Sequence, residues 1–176
     1  MEPDLAAGPG VLAVDLDGTL IRSDMLDESF WAAFARDWLT PVQALAGLAR
    51  GKAALQARLR GLAMPDPALL PYRPEVLELI ADWRARGGKV VLATAADQGA
   101  AQAIADHLGL FDAVHASDGT QNLRGAAKAE VLTRLYGPGG FTYLGDSSAD
   151  LPVWAAAGAA VTVGARPSVR ARAQAL

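Results

Sequence analysis

Four short stretches of this sequence carry residue types that could do chemistry. The first is Asp15-Leu16-Asp17-Gly18-Thr19, directly after the apolar run Val11–Val14. In an extended chain side chains alternate, so Asp15 and Asp17 share one side while Leu16 turns into the core. Two carboxylates a few ångströms apart at a desolvated strand end repel, and need a cation or a shared proton. Gly18 permits a sharp exit, and Thr19 offers a hydroxyl. The plainer alternative is a strand ending in a turn with incidental acids.

The other three stretches fall at similar places. Thr94 follows Val90–Val91–Leu92–Ala93, and Gly145-Asp146-Ser147-Ser148-Ala149-Asp150 follows Phe141–Leu144. Lys128 lies on the first turn of a helix opening at Gly125, where the helix dipole favours an anion. Asp146 and Asp150, four apart across a loop-to-helix transition, can face one site. Singly each has a dull explanation: Thr94 as a cap, Asp150 as a helix N-terminal acid, Lys128 as a solvated face. Their common position, at the carboxyl ends of strands where open α/β sheets bind ligands, is what joins them. Carboxylates, a hydroxyl and an ammonium meet the needs of phosphoryl transfer, which requires positioning and neutralisation of charge on three equatorial oxygens. Mg²⁺, which takes oxygen ligands, suits such a carboxylate set.

The elements that must position these residues are legible as alternation. Apolar runs predict strands at Val11–Leu16, Lys89–Thr94, Ala113–Ser117, Phe141–Gly145 and Ala160–Val163, continuous enough to be buried on both faces. Between them, helices are predicted at Pro74–Arg86, Asp97–Leu108, Gly125–Tyr136, Ala149–Ala157 and from Pro167 onward. Pro74 and Pro167 suit first turns; Gly87–Gly88 and Gly109 suit stops. This predicts an α/β fold, a three-layer Rossmann-like parallel sheet core. One segment breaks the pattern. Leu26, Phe30, Phe34 and Trp38 form one helical stripe, and Val42, Leu45, Leu48, Leu55, Leu59 and Leu62 a second. Residues 23–72 therefore read as a small all-helical cap inserted after strand 1, with 1–22 and 73–176 forming the core. Gly47-x-x-x-Gly51 reads as a break in the second helix rather than a helix-packing motif.

Within that frame the chain resembles the haloacid dehalogenase superfamily of phosphohydrolases. Asp15-Leu16-Asp17-Gly18-Thr19 looks like its first motif, Thr94 its second, Lys128 its third and Gly145–Asp150 its fourth. A cap between motifs one and two sits where the family's first cap class does. The resemblance implies Asp15 as nucleophile and Asp17 as general acid, then base. It implies Mg²⁺ held by Asp15, the Asp17 carbonyl and Asp146, with Asp150 supporting the metal or its water. Thr94, Ala95 and Lys128 would hold the phosphoryl group.

Other chemistries on this fold fit less well. A dehalogenase generally lacks the second aspartate, and a phosphonatase needs a cap lysine, for which Lys52 is the one candidate among three lysines. A response-regulator receiver would be smaller and capless. His107 and His115 join no cluster and read as structural, Asp97 as a helix cap, and Trp31 and Trp38 as core. Asp118 and Arg124 flank Lys128 on a possible flap. Gly137-Pro138-Gly139-Gly140 lacks the Lys-Ser or Lys-Thr of a P-loop.

The expected substrate is a small phosphomonoester, as for a phosphoserine-phosphatase-like enzyme. The wording of Leu70–Pro74, Ala93–Asp97, His107–Asp112 and Ala149–Trp154 is also similar to phosphatase-like domains fused ahead of UbiA-type membrane polyprenyltransferases. That implies a possible fusion or association with a membrane prenyltransferase and a lipid-linked sugar phosphate. The basic stretch Arg166–Arg172 near the end agrees with a longer polypeptide.

Composition bounds the rest. A net charge of −3 argues against a nucleic-acid partner, and the absence of cysteine excludes disulfides and thiolate metal sites. Met1–Gly10 reads as a frayed tail, and no run reaches the roughly 18 apolar residues of a membrane span. The expected location is cytoplasmic.

Overall fold

The computed structural model describes residues 10–36, 65–118 and 121–176. Its sheet has five parallel strands: β1 (Val11–Val14), β2 (Lys89–Asp97), β3 (Ala113–Ser117), β4 (Phe141–Gly145) and β5 (Ala159–Thr162). Their spatial order is β3-β2-β1-β4-β5, so the chain runs outward from β1 on one side and then returns to build the other. The reversal puts a crevice at the carboxyl end of β1, between β2 and β4. Residues of β1 pair with both neighbours, Ala13 with Val91 and Tyr143. Leu12, Ala13 and Val14 are fully buried, which explains the unbroken apolar run.

Helices cover both faces. α2 (Pro74–Ala85) and α3 (Gln98–Leu108) pack on β2 and β3. On the opposite face, α4 (Ala126–Tyr136), α5 (Leu151–Ala156) and α6 (Pro167–Gln174) contribute Ala129, Leu132, Val153, Trp154 and Ala173 to one core cluster with Ala13, Val91, Phe141 and Tyr143. Pro74 and Pro167 occupy first turns, and Gly109 closes α3 at φ 62°, a left-handed cap.

Three boundaries differ from expectation by more than one residue. β1 stops at Val14, and Leu16–Leu20 form a tight turn closed by hydrogen bonds from Leu20 N to Asp15 O and from Ile21 N to Leu16 O. Asp15 and Asp17 therefore do not alternate along one strand. β2 does not end at Thr94; it stays extended to Asp97, with its register against β3 broken between Ala93 and Asp97. α5 begins later than expected, because Ser147 and Asp150 form a reciprocal capping box around a short 3₁₀ turn at Ser148–Asp150.

The chain divides into two compact units, Met1–Arg22 with Tyr72–Leu176, and Ser23–Pro71. Tyr72 belongs to the first, bridging Ile21 antiparallel. In the second, α1 spans Met25–Arg36, and Pro67–Leu69 form a 3₁₀ turn. Trp31, expected in a core, is 61% exposed and meets Phe34 edge-on at 6.0 Å. The second cap helix, Lys52, Trp38 and the tail before Gly10 lie outside the described residues.

Candidate active site

The turn after β1 is built around Gly18. Its φ is 72°, and a Cβ there would lie 2.3 Å from Asp146 Oδ2. Glycine is required both by conformation and by the closeness of the fourth-motif carboxylate. Arg73 braces this turn, donating from Nε to the Gly18 carbonyl at 3.2 Å, while its own N–H meets Leu20 O. Asp15 N–H donates to Leu144 O at 3.0 Å, which continues the β1–β4 ladder by one residue and fixes the two site strands side by side.

That arrangement brings three carboxylates together. One oxygen each from Asp15, Asp146 and Asp150 lies within 4.8 Å of the others. Burial first, then the charges of Asp15 and Asp150, push the Asp146 carboxyl up to about 6. Burial also raises Asp15 above its ordinary value, against the opposing pull of Lys128. A cluster that resists its own ionisation in this way, made only of oxygen donors, fits a hard divalent cation.

Lys128 supplies a fixed positive charge. It sits on the first turn of α4, where a cation opposes the helix dipole, and it is buried. Nζ donates to Asp15 Oδ1 at 2.7 Å and to the Tyr143 hydroxyl at 2.8 Å. Tyr143 in turn donates to Asp150 Oδ1 at 2.8 Å. The other oxygen of Asp150 accepts from Asp146 N, Ser147 N and Ser147 Oγ at 3.0–3.2 Å, which locks the loop after β4. Gly145 is needed here, since a Cβ would lie 2.8 Å from Asp150 Cγ and 2.9 Å from the Tyr143 ring.

Asp17 is half-buried in the turn and outside the three-carboxylate group. Thr94 is fully buried, and its Oγ1 accepts from Ala96 N–H at 3.0 Å. The Ala95 carbonyl accepts from Ser117 Oγ at 2.9 Å, and the same Oγ accepts from Leu123 N–H, tying the segment before α4 to β2. Thr19 is buried with its hydroxyl unpaired. Asp97 caps α3 through Gly99 N–H. His115 bonds the Tyr136 hydroxyl and His107 stacks on Tyr72. Asp118 and Arg124 are both exposed; Asp118 accepts from Gln121 N–H.

Sequence reasoning missed Tyr143, Arg73 and Ser117. An aromatic inside an aliphatic strand reads as core, and Tyr143 is core except for its hydroxyl. The available signal was its spacing, two residues before Gly145, which puts it on the same strand side as the loop acids.

Comparison with known proteins agrees with this fold. The family model for haloacid dehalogenase-like hydrolases matches residues 12–154. A protein of Sinorhizobium fredii, named uncharacterized protein y4nM, is 42% identical over 153 residues, which cover 87% of this chain and 30% of that protein. The chain thus spans about a third of that relative's length. Among solved structures, a probable phosphoserine phosphatase from Vibrio cholerae superposes with a TM-score of 0.71 at 23% identity, covering 94% of this chain and 59% of that one. A protein of unknown function from Bordetella pertussis superposes at 0.72 and 19% identity, covering 96% of both chains. A phosphoserine phosphatase holding a phospho-aspartyl intermediate analogue superposes at 0.64 and 18%, covering 94% of this chain and 91% of that one.

Proposed function

The chain belongs to the haloacid dehalogenase-like hydrolase family, and we propose that it is a Mg²⁺-dependent phosphomonoesterase working through a phosphorylated Asp15. The observation that carries this reading is the convergence of Asp15, Asp146 and Asp150 within 4.8 Å, with Lys128 at 2.7 Å from Asp15. Bound there, Mg²⁺ would neutralise charge on the phosphoryl oxygens. Asp15, the Asp17 carbonyl and Asp146 would hold it, with Asp150 in support.

In the first step an Asp15 carboxylate oxygen attacks phosphorus and the bond to the leaving oxygen breaks. Asp17, protonated, gives its proton to that oxygen. In the second step Asp17 takes a proton from water, the water oxygen attacks phosphorus, and the acyl–phosphate bond breaks to release phosphate and restore Asp15. Lys128, the Thr94 hydroxyl and the Ala95 backbone hold the phosphoryl oxygens throughout.

For substrate, similarity of fold to phosphoserine phosphatases favours a small phosphorylated metabolite. A second reading is a phosphatase domain working within a larger protein, favoured by the longer relative of which this chain covers 30%. The resemblance to domains fused ahead of UbiA-type prenyltransferases would then make the substrate a lipid-linked sugar phosphate. No described helix is long and apolar enough to cross a membrane.

Hydrolysis of a generic aryl phosphate should require Mg²⁺ and be inhibited by Ca²⁺, whose larger, looser shell misplaces the nucleophile. Full activity in excess chelator would overturn the metal assignment. Competition among phosphoserine, sugar phosphates and a polyprenyl-phosphoribose 5-phosphate separates the two substrate readings.

A further inference from the structure

We infer that Tyr143 is a positioning residue whose hydroxyl keeps the Lys128 ammonium off Asp150 and so leaves that carboxylate to the metal cluster. The inference rests on the Mg²⁺-dependent reading above and concerns a residue outside the four motifs. Tyr143 is fully buried, and its oxygen stands between the two charged groups at 2.8 Å from each. A phenol has one proton. With the ammonium donating from one side, that proton goes to Asp150 Oδ1. The direct distance from Lys128 Nζ to Asp150 Oδ1 is 3.9 Å, beyond hydrogen bonding, whereas Asp15 is engaged at 2.7 Å. The spacer adds no charge to a site that already holds three carboxylates.

The ring is held so that the hydroxyl cannot swing away. Trp154 packs edge-on against it at 6.4 Å and donates its indole N–H to the Tyr143 carbonyl at 3.2 Å. A Cβ at Gly145 would lie 2.9 Å from the ring, so the backbone of the β4 end runs close beside it. Removing the hydroxyl alone takes an acceptor from Lys128 and a donor from Asp150 at once. A direct, charge-assisted Lys128–Asp150 bond repairs both losses, and it places a cation where the metal must bind.

The test is Mg²⁺ binding to the intact chain by calorimetry, with no substrate, for wild type, Tyr143→Phe, Lys128→Met and the double variant. Tyr143→Phe should bind Mg²⁺ about tenfold more weakly, the lower end of what loss of an outer-shell partner costs. In the Lys128→Met background the same substitution should leave affinity unchanged or tighter, because no ammonium remains to collapse onto Asp150. Unchanged affinity in Tyr143→Phe overturns the inference, as does an equal loss in both backgrounds, which would make the hydroxyl act on Asp150 alone. Should Tyr143→Phe fail to fold, the comparison of the double variant with Lys128→Met decides: weaker binding in the double overturns. Wild type that binds no Mg²⁺ sinks the functional reading itself, and this inference with it. Wild type that binds while Tyr143→Phe binds equally well sinks the inference alone.

Discussion

The two ends of the sheet each carry an ion pair, and the pairs behave oppositely. At the amino end Arg84 meets Asp112 at 2.9 Å, with both side chains more than a third exposed. Asp112 also accepts from Val90 N–H at 2.8 Å, pinning the start of β3 to β2. Although burial raises it, the Val90 hydrogen bond and Arg84 bring this carboxyl below its ordinary value. At the carboxyl end Lys128 meets Asp15 at 2.7 Å, and there burial outweighs the ammonium and leaves Asp15 raised. A close cation is therefore not enough to settle a carboxylate. Where water remains, pairing wins and the pair is a structural pin; where water is gone, the charge stays costly and available for chemistry.

The contrast breaks if matched substitutions at the two ends give matched results. The largest effect belongs to Asp15→Asn, which should abolish turnover and any covalent phosphoryl adduct by mass spectrometry, while Asp112→Asn leaves both intact. Asp17→Asn should lose about 10²–10⁴ in rate, with the phosphorylated intermediate persisting from a good leaving group. Lys128→Met should lose about 10²–10³, comparable to removing one donor from a charge-stabilising site.

Acidity sharpens the comparison further. Asp146, raised to about 6, makes the folded metal-free chain hold a proton that the unfolded chain releases near the ordinary value of 3.8. Its contribution to stability is complete at low pH and is lost as pH rises through about 6. Thermal unfolding in chelator should therefore occur at lower temperature at pH 7 than at pH 5, and Mg²⁺ should abolish the difference. A metal-free chain that gains stability over that interval would contradict the placement of Asp146. The smallest effect is expected from Arg84→Ala: less than about 1 kcal/mol by denaturant unfolding, with unchanged turnover, because the pair is solvated.

Much of this candidate site was legible because charged side chains stand out at the ends of apolar runs. The five strands were readable from runs such as Val90–Ala93, which only a doubly covered sheet would bury. What escaped were features set by geometry across the chain. Asp15 lies outside β1 because the turn at Leu16–Leu20 takes up its carbonyl, a hydrogen bond that no local pattern announces. Thr94 sits mid-strand because β2 loses register with β3 rather than stopping. Trp31, seven residues from Trp38, was expected in a core, and it lies exposed. Tyr143 shows the limit most plainly: its ring obeys the core pattern, and its single polar atom joins two residues 22 apart in sequence.

The bond from Asp15 N–H to Leu144 O has a consequence for time rather than for chemistry. This amide lies between two central strands, so it should exchange with solvent slowly, when the ends of β1 and β4 separate. Deuterium uptake at the proposed nucleophile's own amide would then run among the slowest clocks in the molecule. The proposed reactive residue would double as an internal gauge of how long the pairing of β1 with β4 survives between opening events.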